Sequence, residues 1–269
     1  MSEVGLQLDH VVVLVPYDTL IHPPAWITSN FTLSPGGRHA DNKTENRLVL
    51  FQDGTYLEFI AFINDDPEKR KGHWWDKPYG VVDFALTAKK GIDHESLRTR
   101  LEKSGTGVSY SEPQNGGRVT DGKDIKWRVT FPQGAERGSV PFFCEDVTDR
   151  HWRVPVSKEN TTHPSGALGM AGMIIRVKEG LKRLSSATAA IIGVEELPMA
   201  VYTLGSPNEV KGLANPTLRL EQAGDDAKHD LGLTLVLQRP GSSQSESLVR
   251  EDIHDGTVLI DMHISSVNG

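Results

Sequence analysis

A pattern that occurs twice constrains the fold of this chain more than any other feature of its sequence. Residues 35–39 read Pro-Gly-Gly-Arg-His, and residues 115–119 read Asn-Gly-Gly-Arg-Val. Each block follows a predicted strand and helix and precedes two predicted strands, which indicates an internal repeat of a β-α-β-β-β unit. The paired glycines would allow the backbone of a β-bulge, which lets a strand curve. The alternative is two unrelated glycine-rich turns.

The first repeat is predicted from apolar runs and turn signals. Residues 6–15 become continuously apolar, which is typical of a buried strand. An Asp-Gly dipeptide at residues 53–54 predicts a hairpin between strands at residues 47–51 and 55–62. A short helix within residues 20–29 would begin at the second of two adjacent prolines, because proline is tolerated only at the start of a helix.

The same order of elements follows twice more. Residues 80–88 form a predicted strand, and the helix after it is bounded by Asp93 as N-cap and by Gly105 as C-terminal stop. A third predicted helix ends at Gly193. Further strands are predicted at residues 116–119, 125–131, 140–147, 172–177, 199–204, 217–221, 231–238 and 257–265, and polar loops at residues 223–230 and 241–255.

These elements predict an α+β fold in which repeated β-α-β-β-β modules form a curved mixed sheet. The first module is expected at residues 6–64 and the second at residues 79–148. A degenerate third module is expected at residues 166–269.

Charge and cysteine content argue against several classes of protein. The formal net charge of -7 disfavours a nucleic-acid or anionic-membrane partner, because both require clustered positive charge. The single cysteine, Cys144, permits no intrachain disulfide and lies in an apolar run, where a buried thiol is expected rather than a nucleophile. The first residues lack the pattern of a signal peptide, and the longest apolar run is too short to cross a bilayer. We therefore predict a cytoplasmic protein.

Four segments, taken in order, resemble a known family. They are Leu8-Asp9-His10-Val11-Val12, Gly36-Gly37-Arg38-His39, Glu45-Asn46-Arg47-Leu48 and Asp53-Gly54-Thr55-Tyr56-Leu57-Glu58. The series resembles the glyoxalase-like domain of the vicinal-oxygen-chelate (glyoxalase, bleomycin resistance and dioxygenase) superfamily, over roughly residues 6–177. In that superfamily two modules form a cupped sheet around a divalent metal ion, which holds two neighbouring oxygens of a substrate. The resemblance implies this fold and a small-molecule partner.

His10 and Glu58 are the first candidate site residues. Both are polar residues within strongly apolar strands. Burial of an unpaired ionised carboxylate costs several kcal/mol, so Glu58 would need a cation, hydrogen bonds or a proton. Strand alternation places Tyr56, Glu58 and Ile60 on one face. The alternative is a solvent-facing Glu58 and a structural His10, but the resemblance favours an inward pair that acts as metal ligands or in catalysis.

The second module departs from the metal-binding pattern of the superfamily. Alignment of residues 81–84 with residues 8–11 places Asp83 opposite His10. Alignment of residues 140–143 with residues 55–58 places Phe143 opposite Glu58, so that an aromatic ring replaces the usual carboxylate. The predicted ligands are therefore His10, Glu58 and Asp83. One imidazole with two carboxylates suits Mn²⁺, Mg²⁺ or Fe²⁺, while Zn²⁺, Ni²⁺ and a metal-free site are the alternatives.

Further candidates surround this predicted pair. His39 is expected to act as a ligand or general base, with a loop histidine as the alternative. Arg38 and Arg118 are expected to anchor a carboxylate or enolate oxygen, with surface salt bridges as the alternative. Trp74 and Trp75 predict either a wall against the ligand or a subunit contact, so a homodimer is one expectation.

The resemblance implies three functions for such a site. The leading one is a lyase or isomerase in which a metal ion polarises adjacent substrate oxygens and stabilises an enolate. Its catalytic candidates are His10, His39 and Glu58. An Fe²⁺ dioxygenase is the second, although that class usually has two histidine ligands and only one is evident. The third is a metal-free binding protein that uses Trp74, Trp75, Phe142 and Phe143 as stacking surfaces.

Overall fold

A computed structural model describes residues 5–120, 122–241 and 244–265. A mixed sheet of 14 strands with few helices confirms the predicted α+β class. The elements of the first repeat are β1 (Gln7–Leu14), α1 (Tyr17–Ile21), α2 (Ala25–Thr28), β2 (Ser34–Arg38), β3 (Thr44–Leu50) and β4 (Tyr56–Phe62). These strands lie in the order β1-β4-β3-β2, with β1 parallel to β4. Two prolines divide the predicted helix, and α2 begins directly after the second of them.

The second repeat has the same strand order. A 3₁₀ turn (Ile63–Asp65) and a short helix α3 (Pro67–Arg70) connect it to the first. Its elements are β5 (Gly80–Thr87), α4 (His94–Ser104), β6 (Ser109–Tyr110), β7 (Gln114–Thr120), β8 (Lys123–Thr130), β9 (Pro132–Gln133) and β10 (Phe142–Asp146). A short helix, α5 (Arg150–Arg153), follows β10. The strand β5 is parallel to β10, which is antiparallel to β8, which in turn pairs with β7.

The two repeats meet along β1 and β5, which pair antiparallel. Val11 of β1 lies opposite Phe84 of β5. A twofold rotation about this pair, which places β1 on β5 and β5 on β1, reproduces the pairing of the residues on either side. This exchange relates His10 to Asp83, and it also relates the register shift after Leu8 to the shift after Val12. A local pseudo-twofold axis therefore passes between β1 and β5.

The outer strands β2 and β7 also touch. The eight strands β1–β5, β7, β8 and β10 therefore close into a cup, while β6 and β9 pair separately. His39 forms an isolated antiparallel bridge with Arg118, and the Ala40 backbone N–H donates to the Gly117 carbonyl oxygen at 3.2 Å. A side chain on Gly116 would put its Cβ 2.4 Å from Trp127 Nε1. Glycine is thus required in β7 because the indole of the neighbouring strand crosses directly over it.

The last third of the chain continues the sheet. Its elements are β11 (Gly169–Val177), α6 (Leu181–Ile192), β12 (Val201–Thr203), β13 (Thr217–Gln222), β14 (Leu231–Pro240), β15 (Gln244–Ile253) and β16 (Gly256–Ser265). The strand β11 is parallel to β13 and antiparallel to β14, and β14 is parallel to β16. These pairings repeat those of β1 with β4 and β5, so this region contains two shortened strand groups, β11–β13 and β14–β16.

The prediction of a loop over residues 241–255 was wrong for its described part. Residues 244–253 form β15, which pairs antiparallel with β16, whereas residues 242–243 lie outside the described chain. This strand is at an edge of the sheet, and only two of its eight described side chains, those of Val249 and Ile253, are buried. Its polar composition therefore concealed the strand.

The sheet separates two cores. Val11, Val13 and most other apolar side chains face the helices, and α4 packs against α6 there. Val12, Leu14 and Ile60 belong to a smaller apolar cluster inside the cup. Strand alternation thus leaves one inward face that carries both apolar and polar side chains. Within the described chain, no helix has the length and apolar character needed to cross a membrane.

Candidate functional site

His10 and Glu58 lie in one buried cavity on the inward face. They stand on the neighbouring parallel strands β1 and β4. Nε2 of His10 is 3.5 Å from Oε2 of Glu58, and the residues are only 3% and 4% exposed. Tyr56 stacks on the imidazole of His10, with ring centroids 4.5 Å apart. The cavity therefore holds an imidazole and a carboxylate in fixed positions.

Asp9 determines which nitrogen of His10 faces the cavity. Nδ1 of His10 is 2.7 Å from Asp9 Oδ2, and Asp9 also accepts hydrogen bonds from Arg150 and Arg153. Burial would raise the pKa of Asp9, but Arg150 and Arg153, with a smaller contribution from His10, lower the pKa well below its usual value. An ionised Asp9 accepts the Nδ1 proton, so Nε2 presents its lone pair to Glu58 and the cavity.

His39 approaches Glu58 from the other side. Its Nε2 is 3.5 Å from Glu58 Oε1, and its Nδ1 is 2.7 Å from Thr44 Oγ1. Asn46 Nδ2 donates to Glu58 Oε1 at 2.6 Å and lies 3.2 Å from His39 Nε2. Burial lowers the pKa of His39, despite the opposing effect of Glu58, so this imidazole is neutral at pH 7.

The polar cavity is small and adjoins a larger cleft. Its volume is about 40 Å³, while the adjoining cleft between β2 and β7 measures about 630 Å³. His39, Arg118 and Trp127 line both spaces. A larger cavity of about 870 Å³ lies beside α4, but neither His10 nor Glu58 borders it. The polar cavity is the better candidate because it combines convergent titratable groups with burial.

Asp83 does not join His10 and Glu58, contrary to the predicted ligand set. Its Oδ2 accepts hydrogen bonds from Trp74 Nε1 at 2.6 Å and from Trp75 Nε1 at 3.3 Å, and its Oδ1 accepts one from the Phe84 backbone N–H. These bonds hold the carboxylate outside the polar cavity. Burial is the largest effect and raises the pKa of Asp83 to about 6.

Phe143 is not a surface for substrate stacking, and the proposed match to Glu58 was wrong by one residue. Glu58 pairs with Val12, and the pseudo-twofold relates Val12 to Ala85, whose partner on β10 is Phe142. Phe142 lines the cavity, whereas Phe143 packs on the opposite face of the sheet. A one-residue difference in register moves a side chain to the other face of a strand.

The remaining predicted contacts fall at different depths. Trp75 lines the polar cavity, while Trp74 packs against Phe131 with ring centroids 4.4 Å apart. Arg38 lines the outer cleft, is exposed and pairs with Glu45 at 3.3 Å. Arg118 is buried and lines both spaces.

Three residues that the sequence reasoning missed hold the site together. Asp9 orients His10, and Asn46 holds Glu58. Arg153 is 1% exposed and donates to Asp9, to Asp146 and to the Tyr56 hydroxyl. Asp9 is adjacent to His10, and Asn46 lies in the Glu-Asn-Arg-Leu segment, so both had a local signal, but Arg153 had none.

Asp9, His10 and Cys144 form the one cluster of three metal-ligand side chains found in the described chain. The arginines already occupy Asp9, and burial strongly raises the pKa of the Cys144 thiol, which keeps it protonated. We therefore interpret this cluster as a group that orients the His10 imidazole, and not as a metal site.

His10 Nε2 and Glu58 Oε2 fit a shared divalent ion better. Two ligands that bind one ion tetrahedrally at about 2.1 Å lie about 3.4 Å apart, and the observed distance is 3.5 Å. His39 Nε2 is a second nitrogen, 3.5 Å from the other oxygen of the same carboxylate.

The chain is similar to a known protein family and to several solved structures. Residues 8–192 match the family model described as a glyoxalase-like domain. A hypothetical protein from Staphylococcus aureus is similar in structure, with a TM-score of 0.63, 14% identity, and coverage of 96% of this chain and 99% of that chain. The Mn(II)-bound glyoxalase from Novosphingobium aromaticivorans gives a TM-score of 0.47, 11% identity, and coverage of 96% and 83%. A catechol 2,3-dioxygenase gives a TM-score of 0.47 at 6% identity, with coverage of 99% of this chain and 91% of that chain. No curated protein matches the sequence.

Proposed function

This chain belongs to the glyoxalase-like domain family of the vicinal-oxygen-chelate superfamily, and on that premise we propose that it is a small-molecule enzyme with a divalent metal ion at His10 and Glu58. The observation that carries the proposal is the 3.5 Å approach of His10 Nε2 to Glu58 Oε2 in a buried cavity. The reaction we propose is that of a lyase or isomerase, acting through an enolate on a substrate with vicinal oxygens.

Each residue has a separate task in this proposal. The bound ion would polarise the two substrate oxygens. Asp9 keeps the proton on His10 Nδ1 and the lone pair on Nε2. His39 is neutral, and its Nε2 lies beside Glu58, so it is placed to accept the substrate proton. Asn46 positions both His39 and Glu58 through its amide nitrogen.

One observation favours a second candidate function. His10, His39 and Glu58 together provide two imidazoles and one carboxylate around a single cavity. This donor set is typical of non-haem Fe²⁺ oxygenases. The second histidine of that pattern is His39, which directly follows β2 and lies 3.5 Å from Glu58 of β4. An Fe²⁺ dioxygenase is therefore the alternative to the lyase or isomerase.

Metal analysis of protein purified without chelator tests the proposal. We expect about one divalent ion per chain, and a loss of metal affinity of at least about 10- to 100-fold in Glu58→Gln and His10→Ala. The matched control is Glu145→Gln, because Glu145 also pairs with a histidine, His94, at 3.2 Å but lies away from the polar cavity. The control should retain the metal.

Turnover distinguishes the remaining functions. The protein would be screened with α-keto and α-hydroxy carbonyl compounds, with oxygen consumption recorded in parallel. Oxygen-independent turnover that falls by orders of magnitude in Glu58→Gln supports the lyase or isomerase, and oxygen consumption with bound iron supports the dioxygenase. Sub-stoichiometric metal with ligand binding but no turnover would instead indicate a metal-free binding protein.

A further inference from the structure

Arg118 is a buried positive charge that pairs with none of the carboxylates around His10. Arg118 is 5% exposed, and its NH2 group donates to the Arg153 carbonyl oxygen at 3.1 Å. Its Nε has no hydrogen-bond partner, and in the described chain it is the only unpartnered buried side-chain atom that belongs to a charged group. An unsatisfied buried guanidinium N–H is costly, which points to an acceptor supplied by a ligand.

The charges around Arg118 indicate an anionic acceptor. Asp9 and Asp146 are paired with Arg150 and Arg153. Among the described residues, no carboxylate lies within ion-pairing distance of Arg118, and the ion-pair partners of Glu58 on the same cavity are histidines. A divalent ion at Glu58 would leave the cavity with excess positive charge. An anionic ligand lowers this positive charge and accepts a hydrogen bond from the Nε–H of Arg118.

The dimensions of the two spaces restrict the shape of that anion. A cavity of about 40 Å³ accommodates a group of a few heavy atoms, since one water requires about 10–15 Å³ of such space. The outer cleft of about 630 Å³ has room for the remainder of a larger molecule. Arg118 borders both spaces, so it lies where the small group would join the larger one.

We infer that the substrate is a carboxylic acid with an oxygen substituent on the adjacent carbon, whose carboxylate binds Arg118 and whose remaining atoms extend into the cleft between β2 and β7. This inference rests on the proposed function, because the vicinal oxygens are the ones a metal at His10 and Glu58 would hold. It adds that the substrate class is 2-oxo or 2-hydroxy acids rather than neutral carbonyl compounds.

Calorimetric binding of small probes tests the inference without any need for turnover. The probes are pyruvate, its neutral amide 2-oxopropanamide, and inorganic phosphate, each titrated into Mn²⁺-loaded and chelator-treated wild-type protein. We expect pyruvate to bind Mn²⁺-loaded protein at least about 10-fold more tightly than the amide, because a charge-assisted hydrogen bond is lost with the amide. Equal affinity for the two would overturn the inference, as would a preference for phosphate over pyruvate.

Two variants assign the effect to Arg118. Arg118→Gln should weaken pyruvate binding about 10- to 100-fold and leave amide binding within about twofold. Arg128→Gln is the matched control, because Arg128 is an exposed arginine on the same β7–β8 hairpin but borders neither space. Thermal unfolding would establish that Arg118→Gln is folded. If it is not, the comparison of pyruvate with its amide in chelator-treated wild-type protein still decides, because no metal ion is then present to attract the carboxylate.

The inference and the proposed function fail in different ways. Stoichiometric Mn²⁺ that is lost in Glu58→Gln, without discrimination between pyruvate and its amide, would overturn the carboxylate site alone. Pyruvate binding that requires Arg118 but is unaffected by chelator or by Glu58→Gln would support the carboxylate site and contradict the metal.

Discussion

At the scale of single residues, two buried aspartates show how surroundings determine the state of a carboxylate. Asp9 and Asp83 are 0% and 1% exposed. Burial opposes ionisation of both, but Arg150 and Arg153 hold the pKa of Asp9 well below its usual value. Asp83 has mainly neutral donors, and burial raises its pKa to about 6. The Asp9 carboxylate, which is paired with arginines, can therefore orient His10. The Asp83 carboxylate instead accepts hydrogen bonds from the indoles of Trp74 and Trp75.

The raised pKa of Asp83 predicts a specific dependence of stability on pH. Its folded pKa of about 6 exceeds its ordinary value of 3.8, so its contribution is complete below about pH 4 and is lost as the pH rises through 6. Asp83→Asn stays neutral and keeps an acceptor for the indoles. As the pH rises from 4 to 7, the wild type should lose up to about 3 kcal/mol of unfolding free energy that the variant keeps. The difference in unfolding free energy between the variant and the wild type should therefore change by that amount in favour of the variant.

Urea denaturation across this pH range measures the change. The variant also loses the bond from the Phe84 N–H, which lowers its stability equally at every pH, so only the change with pH is informative. Parallel curves for the two proteins would show that Asp83 does not titrate in this range.

At the scale of the strands, register and close approach decide which side chains meet. A shift of one residue in β10 exchanges Phe142 and Phe143 between the inside of the cup and the helix-covered face. The contact of β2 with β7 brings His39 and Arg118 to one bridge. The repeated glycines make room for a side chain of the neighbouring strand that crosses each of β2 and β7, namely Asn46 at Gly36 and Trp127 at Gly116.

Replacement of Gly116 by alanine should disturb the wall of the cavity. The new Cβ would lie 2.4 Å from Trp127 Nε1, so the indole must move. We expect a loss of about 1–3 kcal/mol of unfolding free energy and a changed near-ultraviolet circular dichroism spectrum. Gly5→Ala is the control, because nothing lies within 4 Å of its Cβ position. An unchanged spectrum in Gly116→Ala would show that Trp127 does not pack as described.

At the scale of the whole molecule, the cup and the C-terminal third share one sheet and one helix layer. The strand β16 pairs with β5 at a single position, Thr257 with Gly80. The helices α4 and α6 pack together, and Arg100 of α4 donates to the carbonyl oxygens of Ala190 and Ile191 in the last turn of α6. Those carbonyls have no partner within their own helix. One arginine therefore completes a helix of the other part of the chain.

Loss of that arginine should weaken the connection. We expect Arg100→Met to lower the unfolding free energy by about 1–3 kcal/mol, since it leaves carbonyl groups without a donor. Arg98→Met is the control, because Arg98 is an exposed residue on the same helix. Guanidinium denaturation followed by tryptophan fluorescence and circular dichroism measures both variants. Equal stabilities would contradict a role for Arg100 between the two parts.

The repeat and the inward pair were accessible from the sequence. Nearly continuous apolar runs identify β1 and β4, and the twice-occurring Gly-Gly-Arg block relates β2 to β7. The identification of a glyoxalase-like domain is confirmed by the match over residues 8–192. Alternation has a period of two residues, so it reports the face of each side chain without knowledge of distant contacts. It fails for polar edge strands such as β15 and for a register that is uncertain by one residue, as in β10.

Only the tertiary structure decided which polar groups meet. Asp83 is equivalent to His10 in the repeat, yet Trp74 and Trp75 bind its carboxylate. Arg153 reaches Asp9 across 144 positions of sequence, and the closure of β2 on β7 brings His39 and Arg118 together. A local pattern encodes the direction of a side chain from its own strand. The partners of a buried charge depend on how distant segments pack, because any nearby donor or acceptor can satisfy it.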